Sequence, residues 1–109
     1  MGKLQTGAVQ MSYARRVDDN HASIVTAFER LGCWVLDLSR QGAGCPDLLV
    51  AIGPAHALAL VEIKDGAKAK SRRKLTPAQK KLHDDCPALI WIIESLDDVA
   101  SCVRYYRHG

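Results

Sequence analysis

The chain has 109 residues, 48% of them hydrophobic and 25% charged, which suits one domain with a buried core and excludes extended disorder. Its formal net charge of +3 is too small to indicate nucleic-acid binding by itself. The longest apolar stretch, residues 48–63, is interrupted by Gly53 and Pro54 and is shorter than the roughly 20 residues that span a bilayer, so we expect a cytoplasmic protein without a membrane segment.

The N-terminal third predicts an arm, a helix and a strand. Residues 1–16 lack hydrophobic periodicity, and we expect a loose arm ahead of a single domain that spans residues 17–109. From Asp18 to Leu31 apolar residues recur at helical spacing, and Gly32 follows at the position of a C-capping glycine. The short apolar segment 33–38 then predicts a first strand.

The remaining segments predict three strands and two helices. Residues 47–52 and 57–64 are apolar enough to be central strands, and the four residues between them suit a hairpin turn. Thr76, Pro77 and Gln79 form the pattern of a capping box at the start of a helix that ends near Asp85. A strand at 88–94 and a helix after Ser95 complete the order α-β-β-β-α-β-α.

Three charged residues converge in this arrangement. Alternate residues of a strand share a face, so Glu62 and Lys64 point the same way at the polar end of an apolar strand. Asp47 begins the preceding strand, and antiparallel pairing across the turn sets it beside Glu62. The pattern predicts two carboxylates and one ammonium group at a single edge of the sheet.

Two adjacent carboxylates at a partly buried site favour a bound cation. Carboxylate oxygens from Asp47 and Glu62, the carbonyl oxygen of Ile63 and several waters would form the octahedral shell that Mg²⁺ or Mn²⁺ prefers. Such an ion activates water and neutralises charge on a phosphate, while Lys64 can orient or deprotonate the water. The chemistry that these residues predict is phosphodiester hydrolysis.

Basic residues are concentrated directly after this site. Eight of them lie between residues 64 and 81 against one acidic residue, which leaves the rest of the chain net acidic. We expect the loop after the site to bind the phosphates of DNA, although a solvated surface loop is the alternative. Its candidate residues are Lys68, Lys70, Arg72, Arg73 and Lys74.

Pro46-Asp47 followed by Glu62-Ile63-Lys64 resembles the signature of the PD-(D/E)XK nucleases, and residues 18–99 resemble the small VRR-NUC type nucleases of phages and prophages. The resemblance implies an α/β fold with an αβββαβ core, whose mixed four-stranded sheet is flanked by helices. It also implies a homodimer and a site role for Gln79. Many members place a Glu on the first helix, where this chain has Asn20 as its nearest candidate.

Several residues have a second interpretation. Gln79 can serve the capping box as well as the site, and His83, one helical turn later, can approach the site or pack on the sheet. Trp34 and Trp91 favour core positions over base stacking. The spacing of the four cysteines argues against zinc and favours reduced, buried thiols.

The leading functional hypothesis is a metal-dependent DNA endonuclease. The chain has little surface with which to read a long sequence, so branched or otherwise structured DNA is the expected substrate. The alternative is a DNA-binding module whose nuclease site has decayed. A purely structural protein would leave the clustered charges unexplained.

Overall fold

The structure, a computed structural model, describes residues 20–66, 68 and 74–108. Within them the elements are α1 (His21–Arg30), β1 (Trp34–Asp37), β2 (Leu48–Ile52), β3 (Ala57–Ile63), α2 (Pro77–Asp85), β4 (Ile90–Ile93) and α3 (Leu96–His108). This is the predicted order. The predicted N-terminal arm lies outside the described residues. None of the described helices is long and apolar enough to cross a membrane.

The four strands form one mixed sheet in the order β1-β2-β3-β4. β2 is antiparallel to β1 and β3, whereas β4 is parallel to β3, because α2 carries the chain back between them. The two most apolar strands are therefore central, as predicted. In the β2–β3 register Leu48 pairs with Val61, so the next pair toward the site is Asp47 with Glu62.

The core lies between one face of the sheet and the helices α1 and α3. On β3 the alternate residues Ala59, Val61 and Ile63 point into it and are at most 1% exposed. Phe28 of α1 and Val99 of α3 cover them from the helical side. Full burial of an aliphatic or aromatic side chain contributes about 1.5–3 kcal/mol, so this face holds the domain together.

The prediction that Trp34 belongs to the core is wrong. Trp34 pairs with Ala51 and lies on the face of the sheet opposite α1 and α3, where it is 60% exposed. An apolar segment does not reveal that its strand will be an edge strand with one face uncovered. The prediction for Trp91 is confirmed, since it packs against the core and its Nε1 donates to the Tyr106 hydroxyl at 3.1 Å.

All four cysteines are free thiols, with Cys33 and Cys102 buried and Cys45 and Cys86 half-buried. Burial and, to a smaller extent, the nearby Cys33 together raise the pKa of the Cys102 thiol to about 12. A thiol with so high a pKa stays protonated and unreactive at neutral pH. These observations agree with the prediction of reduced thiols.

α2 begins with the predicted capping box. The Thr76 side chain accepts a hydrogen bond from the Gln79 backbone N–H, and the Gln79 side chain accepts one from the Thr76 backbone N–H. The loop before β2 closely approaches this helix start, because a Cβ added at Gly44 would lie 2.5 Å from the Ala78 carbonyl atoms. Glycine at position 44 thus allows the first turn of α2 to sit beside the edge of the sheet where Asp47 lies.

Candidate active site at the sheet edge

Asp47 is fixed beside the end of β3 by hydrogen bonds on both sides. Its Oδ2 accepts from the backbone N–H of Ile63 at 2.8 Å, and its carbonyl oxygen accepts from the N–H of Leu38 at 2.7 Å. Ile63 directly follows Glu62, so the Asp47 carboxylate contacts the peptide group that joins these two residues. The structure therefore brings the three predicted residues Asp47, Glu62 and Ile63 together at one sheet edge.

Glu62 and Lys64 are both buried, at 1% and 8% exposure. The Lys64 Nζ lies 3.8 Å from the Glu62 Oε2. Removing two charges from water costs several kcal/mol for each ion unless they are paired and hydrogen-bonded. Burying these two charged side chains at the end of an apolar strand therefore costs free energy of folding, and the packing of the core does not require it.

Gln79 links these two charged residues. Its Nε2 donates to the Glu62 Oε2 at 2.9 Å, and its Oε1 accepts from the Lys64 Nζ at 3.0 Å. The same Oε1 accepts from the Thr76 N–H at 2.9 Å. One side chain therefore serves both the capping box and the site, and the first turn of α2 positions the amide against β3.

The oxygen atoms at this edge fit a divalent cation of the Mg²⁺ or Mn²⁺ type. Among the described residues there is no group of three or more His, Cys, Asp or Glu side chains that could hold a metal, which leaves the pair Asp47 and Glu62. A backbone carbonyl and waters would have to complete the shell, and Mg²⁺ is commonly bound through one or two carboxylates in this way. The donors are all hard oxygen atoms, which suits Mg²⁺ or Mn²⁺ and does not suit a thiolate-binding metal.

Asn20 lies next to the site through the backbone of β3. Its Nδ2 donates to the carbonyl oxygens of Lys64 at 3.1 Å and Glu94 at 3.3 Å, so it bridges the ends of β3 and β4. Its Oδ1 is buried and has no hydrogen-bond partner among the described residues. Asn20 thus contacts the backbone of a site residue, and no hydrogen bond described for it reaches the Lys64 or Glu62 side chain.

The structure describes two of the five residues predicted to bind phosphate. Lys68 is half-buried, and its backbone N–H donates to the Asp65 carbonyl at 3.0 Å in a turn just after the site. Lys74 is exposed shortly before α2. The predicted positions Lys70, Arg72 and Arg73 lie outside the described residues.

His83 is half-buried on α2, four residues after Gln79. Burial lowers its pKa, the charge of Asp84 raises it by less, and the charge of Lys64 lowers it further. Its Nε2 is buried without a hydrogen-bond partner in the described part of the chain. The ring is therefore close enough to Lys64 for the charge of that lysine to lower its pKa.

The sequence analysis missed a second polar cluster at the same edge. His21 Nε2 lies 3.0 Å from Asp37 Oδ2, and Asp37 Oδ1 accepts from the Ser39 N–H at 2.8 Å and hydroxyl at 2.6 Å. Burial raises the pKa of Asp37, but the hydrogen bonds from His21 and Ser39 outweigh it and hold the pKa well below its usual range. The available signal was an aspartate near the end of the predicted strand 33–38, two residues before a serine. The contact between His21 and Asp37 joins α1 to the end of β1, which pairs with β2, the strand that follows Asp47.

A comparison with solved structures finds a chain described as "VRR_NUC domain". The two are 30% identical, the superposition has a TM-score of 0.60, and it covers 79% of this chain and 91% of that one. No family model matches the sequence, and neither does any curated protein. The shared fold is the α/β arrangement of a mixed four-stranded sheet with three helices. On this identity and coverage, the chain belongs to the VRR-NUC family and has the PD-(D/E)XK type of nuclease fold.

Proposed function

We propose that the protein is a metal-dependent DNA endonuclease whose active site consists of Asp47, Glu62, Lys64 and Gln79. One observation carries the proposal: the half-buried Gln79 joins the buried Glu62 and Lys64 in a hydrogen-bonded chain beside Asp47. A protein gains little stability from burying such charges, because a well-packed apolar group is as favourable or more so. Their burial at the end of β3, beside the half-buried Asp47, supports a catalytic role.

Asp47, Glu62 and the carbonyl group of Ile63 are the residues that would hold Mg²⁺ or Mn²⁺. When bound, the ion would supply a water of lowered pKa and charge neutralisation at the scissile phosphate. Lys64, whose Nζ lies 3.8 Å from the Glu62 Oε2, would orient or deprotonate the attacking water and stabilise the charge that develops on the phosphate. The Asp47–Ile63 hydrogen bond fixes the distance between the two carboxylate-bearing strands.

Gln79 would be a positioning residue for this reaction. Its amide group donates to Glu62 and accepts from Lys64, so it sets the rotamers of both side chains at once. Without it the ammonium group would be attracted directly to the Glu62 carboxylate, 3.8 Å away, and would compete with the metal. His83 and Asn20 remain weaker candidates for supporting roles beside the same site.

Binding of DNA would rest on the basic segment that follows the site. Lys68, Lys70, Arg72, Arg73 and Lys74 follow β3 directly in the sequence, so they would contact phosphates near the bond that is cut. Phosphate contacts fix position and carry no sequence information. We therefore propose a substrate recognised by its shape, such as branched DNA.

A homodimer would bring two such sites into one particle, as needed to cut two strands. The homodimer is part of the proposed function. A cytoplasmic location in a bacterial host, with a phage or prophage origin, stays a prediction.

The test is to incubate the purified protein with linear, nicked, flap and four-way-junction DNA in Mg²⁺, Mn²⁺ or EDTA. We expect cleavage with the metals, none in EDTA, and a preference for the branched substrates. The matched control is Glu62→Gln, which keeps the size of the side chain and should be inactive, so that any residual cutting reveals a contaminating nuclease. Cleavage in EDTA would contradict the proposal, and DNA binding without cleavage of any substrate would favour the decayed DNA-binding module.

A further inference from the structure

Asp47 lies just outside the regular sheet. β2 begins one residue later, at Leu48, and the residue before Asp47 is Pro46, which has no backbone N–H to donate. Glu62, by contrast, lies within β3 and pairs with Ile92 of β4. The sheet therefore fixes the backbone of Glu62 directly, whereas the backbone of Asp47 depends on individual hydrogen bonds.

Backbone N–H groups hold Asp47 from both sides. Ile63 donates to its Oδ2 at 2.8 Å, and Leu38 donates to its carbonyl oxygen at 2.7 Å. Leu38 directly follows Asp37, the last residue of β1. The chain then turns away from β2, since the N–H of Gln41 donates to the Leu38 carbonyl oxygen at 3.0 Å. The position of Asp47 thus depends on how this turn holds Leu38.

The Asp37 carboxylate closes the turn around Leu38. Its Oδ1 accepts from the Ser39 N–H at 2.8 Å and from the Ser39 hydroxyl at 2.6 Å, which joins the residues on either side of Leu38. A carboxylate that accepts from the N–H two residues later forms an Asx turn, and charge-assisted bonds of this length are about twice as strong as neutral ones. Ser39 is buried, and the other Asp37 oxygen lies 3.0 Å from His21 Nε2 in α1. The turn is therefore anchored to both its own backbone and α1.

We propose that Asp37 is a positioning residue for the metal site, because its carboxylate holds the turn that presents the Leu38 N–H to Asp47. The inference rests on the proposed function, in which Asp47 binds the metal. Asp37 lies on the same side of β1 as Val35, which packs against the core. Its carboxylate contacts Ser39 and His21, so it acts on Asp47 through the backbone.

Two substitutions separate this role from the effect of a negative charge near the metal. Asparagine at position 37 keeps an oxygen that can accept both bonds from Ser39, but it carries no charge. Glutamate keeps the charge, but its additional methylene group moves the carboxylate out of the Asx turn. If Asp37 acts by position, Asp37→Asn preserves metal binding and Asp37→Glu weakens it. If it acts by charge, the order is reversed.

The test is isothermal titration of Mn²⁺ into the folded full chain, well below the melting temperature of each protein. We expect the Kd for Mn²⁺ to rise about tenfold in Asp37→Ala and Asp37→Glu, the scale of losing a residue that orients a metal ligand, and by less than about twofold in Asp37→Asn. The amide NMR signals of Leu38 and Ile63, which report the two bonds to Asp47, should shift in the alanine and glutamate variants.

Tyr106→Phe is the matched control. It removes the hydroxyl that accepts from Trp91 Nε1, so it also deletes one part-buried side-chain hydrogen bond, but near the end of α3. Its Kd for Mn²⁺ should equal that of the wild type. An equal rise in Tyr106→Phe and Asp37→Ala would overturn the inference in favour of a general effect of stability.

An unchanged Kd in Asp37→Ala would also overturn the inference, and a Kd raised equally in Asp37→Asn and Asp37→Ala would overturn it in favour of charge. If Asp37→Ala does not fold, the order of the asparagine and glutamate variants decides. The proposed function is judged separately. A wild type that binds no Mn²⁺ rejects the metal site and this inference with it, whereas equal binding by the wild type and Asp37→Ala rejects only the positioning role.

Discussion

The two faces of the sheet bury opposite kinds of side chain. On the face toward α1 and α3 the buried residues are apolar, as at Val50, Val61 and Ile63. On the other face the buried residues are the charged Glu62 and Lys64, while the apolar Leu58 is left in water. The first face buries apolar side chains, as a stable core requires. The second face buries charged side chains and exposes an apolar one. The burial of charge on this surface is what the proposed nuclease function requires and what stability alone does not.

Truncating one large residue on each face tests whether only the face toward α1 and α3 is a core. Phe28→Ala removes a fully buried ring from the core and should lower the free energy of unfolding by about 3–5 kcal/mol. Leu58→Ala should change it by no more than about 0.5 kcal/mol in the monomer, because the side chain is exposed. Urea unfolding at a protein concentration too low for association measures both. Equal losses would mean that both faces are core.

The second prediction concerns the charge buried on the site face. Lys64→Ala should reduce single-turnover DNA cleavage by about 10² or more, the scale of losing one group that stabilises the transition state. DNA affinity should be nearly unchanged, since many other basic residues remain. Lys64→Arg should not restore activity, because a planar guanidinium group cannot take the place of an ammonium group. Lys80→Ala, an exposed lysine on α2, is the control, and wild-type cleavage by Lys64→Ala would contradict the mechanism.

A smaller effect separates the two roles of Gln79. Thr76→Ala removes one half of the capping box and should cost about 1 kcal/mol of stability with little change in cleavage. Gln79→Ala removes the cap contact and the bridge between Glu62 and Lys64, so it should cost similar stability and also reduce cleavage by roughly tenfold. The comparison uses cleavage rates measured well below the melting temperature of either variant. Equal rates for the two variants would show that Gln79 acts only as a cap.

The smallest change in stability is expected for substitution of Asp37, whose side chain bonds to His21 and Ser39 on the side of the sheet that faces α1. The pKa of Asp37 is lower in the folded chain than in the unfolded one, so its stabilisation is present above the unfolded value of about 4 and is lost as the pH falls below it. The side chain is half exposed, and solvent screening limits the effect to about 1 kcal/mol or less. Asp37→Asn should therefore destabilise the protein most at pH 7, and progressively less as the pH falls from about 4 toward the lowered pKa of the folded state. Asp85→Asn, on the surface of α2, is the control; a pH-independent difference would contradict this origin.

The sequence predicted most of what local patterns determine. The alternation along residues 57–64 predicted that Glu62 and Val61 lie on opposite faces of the sheet. The length of the hairpin turn predicted that Asp47 lies opposite Glu62. Thr76 and Gln79 predicted the capping box. These features depend on residues near one another in the sequence or on one turn.

What the sequence could not predict depends on distant contacts. The exposure of Trp34 depends on β1 being an edge strand with one uncovered face, which apolarity alone does not reveal. The bonds of Asn20 to the carbonyl groups of Lys64 and Glu94 join residues 44 and 74 positions apart. The family resemblance predicted a site role for Gln79. Its hydrogen bonds to Glu62 and Lys64 depend on how α2 packs against β3, which the sequence alone does not reveal.

We propose that the charged side chains at this sheet edge form a metal-binding catalytic site. Isothermal titration of Mn²⁺ into the wild type, Asp47→Asn and Lys64→Ala tests it most directly, because asparagine can still accept the hydrogen bond from Ile63 but lacks the carboxylate charge. We predict binding heat for the wild type, its loss in Asp47→Asn, and equal or tighter binding in Lys64→Ala, which removes a positive charge near Glu62. Unchanged Mn²⁺ binding in Asp47→Asn would contradict the account.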